Sequence, residues 1–320
     1  MRPLRLAAVT SPTSTPFGEL TVIVNPHAGR RRVGEEVPAL ERTLKERDLP
    51  YRLLLTEGPG DATDLARGAL AGGGRFLVAV GGDGTVHEVV NGMFEDGRPV
   101  VEDAVLGVVA AGSGCDLVRT FGLPGDATKA CAHLTGGNVY PFDVIKISYT
   151  TNDGGRALRY CANIAEAGLG AAVAARAAKL SPRLGRSRYF VAFWRELPAF
   201  RLAQVRVQSD RKVYEGPAYQ VVVGNCQFYG GGMRISPRSY PGDGVLDTLV
   251  FKGPKSDAFT MVPKVYKGDH IPSDHIEELR AKAAVKIEAD RPLPIEADGE
   301  VLGTTPATFQ VIPQRILMKL

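Results

Sequence analysis

RFLVAVGGDGTVHEVVNG, residues 75–92, is the stretch that decides the fold. Phe76 to Val80 is an unbroken apolar run of strand length. It breaks into Gly81-Gly82-Asp83-Gly84-Thr85, after which Val86, Val89, Val90 and Met93 recur at helical spacing. A strand that ends in glycines and opens into a helix presents unpaired backbone N–H groups and the positive end of the helix dipole. Without a Cβ in the way, such a backbone closes on a phosphate. Asp83 would repel that phosphate unless a cation lies between them, so the turn reads as a site for nucleotide phosphate with Mg²⁺. A tight βα turn with Asp83 as its helix cap is the alternative.

Around this stretch the first half of the chain alternates strand and helix. Thr21 to Val24, Tyr51 to Leu55, Ala104 to Val109 and Val139 to Ile147 read as strands. Val33, Val37, Leu40 and Leu44 form a helical stripe, with Glu35 and Glu36 near its start and Lys45 and Arg47 near its end. Further helices are expected from Asp61 and through Ala127 to Leu134. This order predicts an open parallel sheet with helices on both faces and a ligand site at the C-terminal strand edges. Three glycine-bearing turns fall at those edges: Asn25-Pro26-His27-Ala28-Gly29, Gly81 to Thr85, and Gly112-Ser113-Gly114.

Beyond about residue 148 the runs become short, β-branched and punctuated by Gly, Pro, Asn and Asp, as at Tyr219 to Val223, Val245 to Phe251 and Thr308 to Ile312. An antiparallel β-sandwich is expected there, with helices near Ala171 to Leu180, in the basic segment that follows, and at Asp274 to Arg280. The fold class is thus α/β in two domains, an N-terminal nucleotide-binding open sheet and a C-terminal antiparallel sandwich.

At 320 residues, 44% apolar and 23% charged, the chain has the composition of a soluble globular protein with room for two domains. The first sixteen residues read as a leader-like extension. Four scattered cysteines form no CxxC pair, which points to a reducing compartment and away from a zinc site. A cytoplasmic protein is expected. From Arg176 to Arg201, seven basic residues face one acid, Glu196, interleaved with Phe190, Phe193, Trp194, Leu197 and Phe200. That mixture suits an anionic membrane surface, and equally a solvated helix whose rings pack inward.

The ordered motifs resemble those of the bacterial diacylglycerol kinase and sphingosine kinase family of soluble lipid kinases. Its NPxxG, GGDGTxxEVxNG and GTxND turns are matched by Asn25 to Gly29, Gly81 to Gly92 and Gly112 to Asp116. Its later signatures are matched by Ser236-Pro237 with Asp243-Gly244-Val245-Leu246-Asp247, and by Asp298-Gly299-Glu300. The resemblance implies an ATP-binding domain over 18–147 and a lipid-substrate sandwich over 148–310, with a last strand, about 311–320, returning to the first domain.

By that resemblance, ATP contacts Asn25, Pro26, His27, Ala28, Gly29, Thr56 and the turn from Gly81 through Gly82, Asp83, Gly84, Thr85, Val86 and His87 to Glu88, with Gly112 and Ser113 beyond. Glu300 is the implied general base, and a second metal position involves Tyr240, Asp243 and Val245. Spacing alone reads Asp243-Gly244 as a hairpin turn, and Asp298-Gly299-Glu300 equally as a turn. The cofactors implied are ATP and Mg²⁺. The partner implied is a lipid at the inner face of the membrane, with no nucleic acid and with homodimerisation left open. Diacylglycerol is the first substrate expected, and a ceramide or sphingoid base the next.

Two positions depart from the family pattern. Cys115 stands where an Asn is usual, which weakens its side-chain hydrogen bonding. His87 also replaces an Asn, and is expected on the helix surface. An NAD kinase-like or other small-molecule kinase is the second reading, and a catalytically silent nucleotide- or lipid-binding regulator the third. A dinucleotide dehydrogenase is disfavoured, because no GxGxxG follows the first strand.

Overall fold

The computed structural model describes residues 15–111, 115–125, 127–181, 184–185 and 187–320, so the leader-like segment lies almost wholly outside it. Two compact units result, Met1–Pro141 with Ile316–Leu320, and Phe142–Arg315. The first boundary precedes the change of texture at residue 148, because the strand Val139–Thr150 runs unbroken through it.

The first unit runs β1 (Leu20–Val24), α1 (Arg32–Glu46), β2 (Tyr51–Leu55), α2 (Asp61–Ala71), β3 (Phe76–Gly81), α3 (Asp83–Gly92), β4 (Ala104–Ala110) and α4 (Asp116–Thr120). The sheet is parallel in the order β2-β1-β3-β4, and Ile316 to Met318 pair in parallel beside β4. Every residue of β1, β3 and β4 is buried, as expected of parallel strands covered on both faces. Val33, Leu40 and Leu44 of α1 pack into the same core as Val22, Val78 and Val109.

In chain order the second unit contains β5 (Val139–Thr150), β6 (Arg156–Cys161), β7 (Ile164–Gly168), α5 (Leu169–Ala178), α6 (Ser187–Ala199), β8 (Ala203–Gln208), β9 (Val213–Ala218) and β10 (Gln220–Gly224). There follow β11 (Leu246–Phe251), α7 (Ala258–Lys267), β12 (Ile276–Ala281), β13 (Ala284–Ala289), β14 (Pro294–Ala297) and β15 (Glu300–Lys319). One layer is ordered β12-β11-β10-β7-β14, and the other β9-β8-β13-β15 with β5 and β6 beyond. The β14–β15 hairpin links the layers, since β15 starts against β14 and continues against β13. Val222, Leu249, Ile287 and Phe309 fill the core between them.

The stretch Asp274 to Arg280, expected as a helix, is instead the strand β12. Its charged residues have helical propensity, but pairing with β11 from Leu246–Ala281 to Phe251–Ile276 buries Ile276, Leu279 and Ala281 and overrides it. No described helix is long and apolar enough to cross a membrane.

Candidate active site

Four strand ends of the first unit meet at one edge of its sheet. Asn25 N–H donates to the Val80 carbonyl at 3.1 Å, Thr56 N–H to Val24 at 2.9 Å, and Ala111 N–H to Gly81 at 3.0 Å. These bonds set the Asn25 turn, Thr56 and the glycine turn side by side. Gly112 and Ser113 lie outside the described residues.

The glycine turn is shaped by what surrounds it. A Cβ on Gly81 would overlap the Thr85 side chain, which is buried beneath the turn. Gly82 is extended (φ −99°, ψ −171°) and caps α3 with no side chain. The start of α3 therefore lies at the sheet edge with no side-chain cap from the residue before it. The Asn25 turn is closed by its own side chain, whose Oδ1 accepts His27 N–H at 3.0 Å, and Gly29 takes the left-handed conformation (φ +60°) that suits glycine.

Asp83 is held from the side. Its Oδ1 accepts Asp116 N–H at 2.8 Å, and the Cys115 thiol also hydrogen-bonds to its carboxylate. Burial pushes the Cys115 thiol well above its ordinary range, and the Asp83 charge pushes it further. The thiol thus stays protonated and donates to Asp83. Cys115 is a departure visible in the sequence, but its service to Asp83 is not, because only the fold brings the start of α4 beside the start of α3.

Two turn residues also have places in the fold that the resemblance does not give. The Glu88 carboxylate accepts Gly60 N–H at 2.9 Å and Ala62 N–H at 3.2 Å, so it caps α2 from α3. His87, expected on the surface, is buried at 5% exposure. α3 is enclosed on nearly every side: a Cβ on Gly92 would strike Ala66 and the Thr63 carbonyl of α2.

In the second unit, Glu300 opens β15 and is exposed. Its neighbour Asp298 (φ +51°) is buried and accepts Ala162 N–H and Asn163 N–H, both at 2.9 Å, and the Cys161 thiol at 3.0 Å. Asp298 thereby staples the turn before Glu300 to the β6–β7 link. Beneath that turn, Glu166 and Glu296 are buried and hydrogen-bonded to each other, and Gly299 N–H donates to Glu296. Burial raises both carboxyls, Glu166 to about 7, and the charge of Glu166 raises Glu296 further. Two such groups in contact share a proton. Nothing in the sequence signals this pair, since each residue sits in an ordinary strand pattern.

At Tyr240, Asp243 and Val245 the structure forms a turn, with Gly244 left-handed (φ +67°). The Tyr240 carbonyl accepts Gly242 N–H and Asp243 N–H, and Asp243 accepts Val245 N–H at 3.0 Å and Arg280 Nη2 at 3.3 Å. The Tyr240 carbonyl and the Asp243 carboxylate are thus hydrogen-bonded within the protein, with the Arg280 guanidinium beside Asp243. Among the described residues, no group of three or more His, Cys, Asp or Glu is placed to hold a metal. The buried Asp143, missed in the sequence, braces this turn by accepting Gly244 N–H at 2.7 Å and Gln314 N–H at 2.9 Å. All four cysteines are buried, and none is in a disulfide.

A parallel α/β unit with an uncapped glycine turn at its strand ends, carried in one chain with an antiparallel sandwich, is the architecture of a two-domain phosphotransferase. Residues 19–147 match the diacylglycerol kinase catalytic domain, and residues 163–319 the YegS C-terminal NAD kinase beta sandwich-like domain. The chain belongs to the diacylglycerol kinase family, and is a lipid kinase transferring phosphate to an alcohol. It is 28% identical to the diacylglycerol kinase of Bacillus subtilis, over 90% of this chain and 91% of that one. It is 27% identical to the diacylglycerol kinase of Mycobacterium tuberculosis, over 93% of each. A crystal structure of a candidate diacylglycerol kinase from Bacillus anthracis is similar at 26% identity and TM-score 0.71, covering 96% of this chain and 98% of that one.

Proposed function

We propose that this protein is an ATP- and Mg²⁺-dependent kinase whose acceptor is the free hydroxyl of diacylglycerol, met at the membrane surface. The observation that carries the nucleotide half is the start of α3, where Gly82 leaves the first N–H groups without a side-chain cap and Asp83 is fixed by Asp116 and Cys115. Those N–H groups suit phosphate oxygens, and the Asn25 to Gly29 turn and Thr56 line the same sheet edge. Mg²⁺, when bound, neutralises charge on the β- and γ-phosphates, and Asp83 is the residue to hold it. The charge of that cation resolves the presence of a carboxylate in a phosphate-binding turn. Glu88 contributes by fixing α2 against α3 rather than by touching nucleotide.

Glu300 is the proposed base. A carboxylate is far too weak a base to strip an alcohol of its proton beforehand. It orients the hydroxyl and takes the proton late, as the new oxygen–phosphorus bond forms. Support for the acceptor comes from relatives named diacylglycerol kinase, matched along nearly the whole chain. The test is incubation with labelled ATP and Mg²⁺ against diacylglycerol, ceramide, sphingosine and NAD, with the products separated. Label in phosphatidate is the expected result. Label in NAD, or in no product at all, would overturn it.

A further inference from the structure

Glu166 and Glu296 are buried in a layer of sheet whose other inward side chains are mostly apolar. β7 and β14 are antiparallel neighbours, and their register sets the two residues directly opposite each other. Like charges so placed repel, and burial makes an ionised pair costlier still. One proton shared between the carboxyls removes the repulsion. Their other partners decide which carboxyl keeps it. Glu166 accepts Gln220 Nε2 at 2.5 Å and the Tyr229 hydroxyl, two donors that suit a carboxylate. Its carboxyl also sits against the start of α5, where a Cβ on Gly170 would overlap it, and the first turn of a helix favours negative charge. Glu166 is therefore the ionised member. Glu296 keeps the proton and donates it to Glu166, while its Oε1 accepts Gly299 N–H.

Gly299 lies in the two-residue link between β14 and β15, where Asp298 (φ +51°) and Gly299 (φ +94°) are both left-handed, as a tight hairpin requires. The link is pinned at both residues, Asp298 by the Ala162 and Asn163 N–H groups and Gly299 by Glu296. Between Ile295 and Glu296 the pairing with β15 also slips by one residue, so that Leu302 stands without a partner as a bulge. Bulges re-aim the side chains beside them. Glu300 follows Gly299 directly and is exposed, so the backbone that carries it sets where its carboxylate points.

We propose that Glu296, hydrogen-bonded between Glu166 and the Gly299 amide, is a positioning residue that aims the Glu300 carboxylate at the acceptor hydroxyl. The proposal deepens the reading of Glu300 as the base and rests on it. Glu296 is buried away from both substrates, and its effect passes through the Gly299 peptide. A neutral carboxyl suits this work because it donates at one oxygen and accepts at the other. An amide can do the same, and an alkyl side chain cannot.

The full chain is assayed with labelled ATP, Mg²⁺ and dispersed short-chain diacylglycerol, and ATP affinity is read by calorimetry. Glu296→Leu should lower kcat about tenfold or more, the scale of a misaimed group, and leave ATP affinity within about twofold of wild type. Glu296→Gln should restore kcat to within about threefold of wild type, since its amide donates to Glu166 and accepts from Gly299. The deciding comparison is made in Glu300→Gln. There Glu296→Leu should lower kcat by less than about twofold, because no base is left to aim. Should Glu296→Leu fail to fold by circular dichroism, Glu166→Gln/Glu296→Leu carries the same comparison without a buried carboxylate that has lost its partner.

Wild-type kcat in a folded Glu296→Leu would overturn the positioning role and leave Glu300 as the base. The same holds for a loss of equal size with and without Glu300, which is what general damage to the sheet produces. A loss confined to ATP affinity, or a Glu296→Gln variant as slow as Glu296→Leu, would overturn it too. Full activity in Glu300→Gln would instead remove the base itself, and the positioning role with it.

Discussion

Glu300 stands exposed at the start of β15, while its neighbour Asp298 is locked by backbone donors and a thiol. That contrast separates the proposed base from its support within one three-residue turn. Glu300→Gln should lower kcat by about a hundredfold or more and leave nucleotide affinity, read by calorimetry, within about twofold of wild type. The shared proton of Glu166 and Glu296 gives the turn a pH signature. Both groups bind protons more tightly folded than unfolded, so their contribution is complete below about 4.5 and is lost as pH rises through about 7 for Glu166. Melting temperature should therefore fall between about pH 5 and pH 8, and Glu166→Gln should flatten that fall. An equally steep curve in the variant would assign the titration elsewhere. The residues proposed to touch ligand could be named from the sequence because their motifs are local. Asp143, Glu166, Glu296 and the Cys115 contact with Asp83 were not, since each gains its meaning from a residue far along the chain.

Among the elements, α2 and α3 show how a motif residue becomes a brace. Glu88 spends its carboxylate on Gly60 and Ala62 at the start of α2, and Thr63 Oγ1 returns a bond to the Glu88 carbonyl at 2.9 Å. Glu88→Ala should cost about 1 kcal/mol of stability in denaturant unfolding, the scale of a lost helix cap. It should weaken nucleotide binding only as far as the turn loosens, and a variant as stable as wild type would deny the brace. Elements with strong periodicity, such as β3 and the α1 stripe, could be read directly. β12 could not, because Glu277, Glu278 and Arg280 favour a helix locally and only the neighbouring strand β11 decides otherwise. His87 misled for the same reason, as a polar residue on a helix that happens to be wrapped on nearly all sides.

At the scale of the whole molecule, the last residues of β15 belong to the first unit. Ile316 and Met318 are fully buried there, and Lys319 Nζ donates to the Asn138 carbonyl at 2.9 Å. Replacing Ile316 or Met318 by Ala should each cost about 2–5 kcal/mol, as other cavity-forming changes do. Limited proteolysis should then cut first within residues 20–110, and cuts confined to the second unit would contradict the assignment. This membership also orders events on the ribosome. The four strands nearest the N-terminus emerge early, yet β4 keeps a bare edge until Ile316 leaves the exit tunnel. Such an edge recruits foreign strands, so a chaperone has most to do in that interval. The half of the protein that is made first is therefore the half whose sheet is completed last.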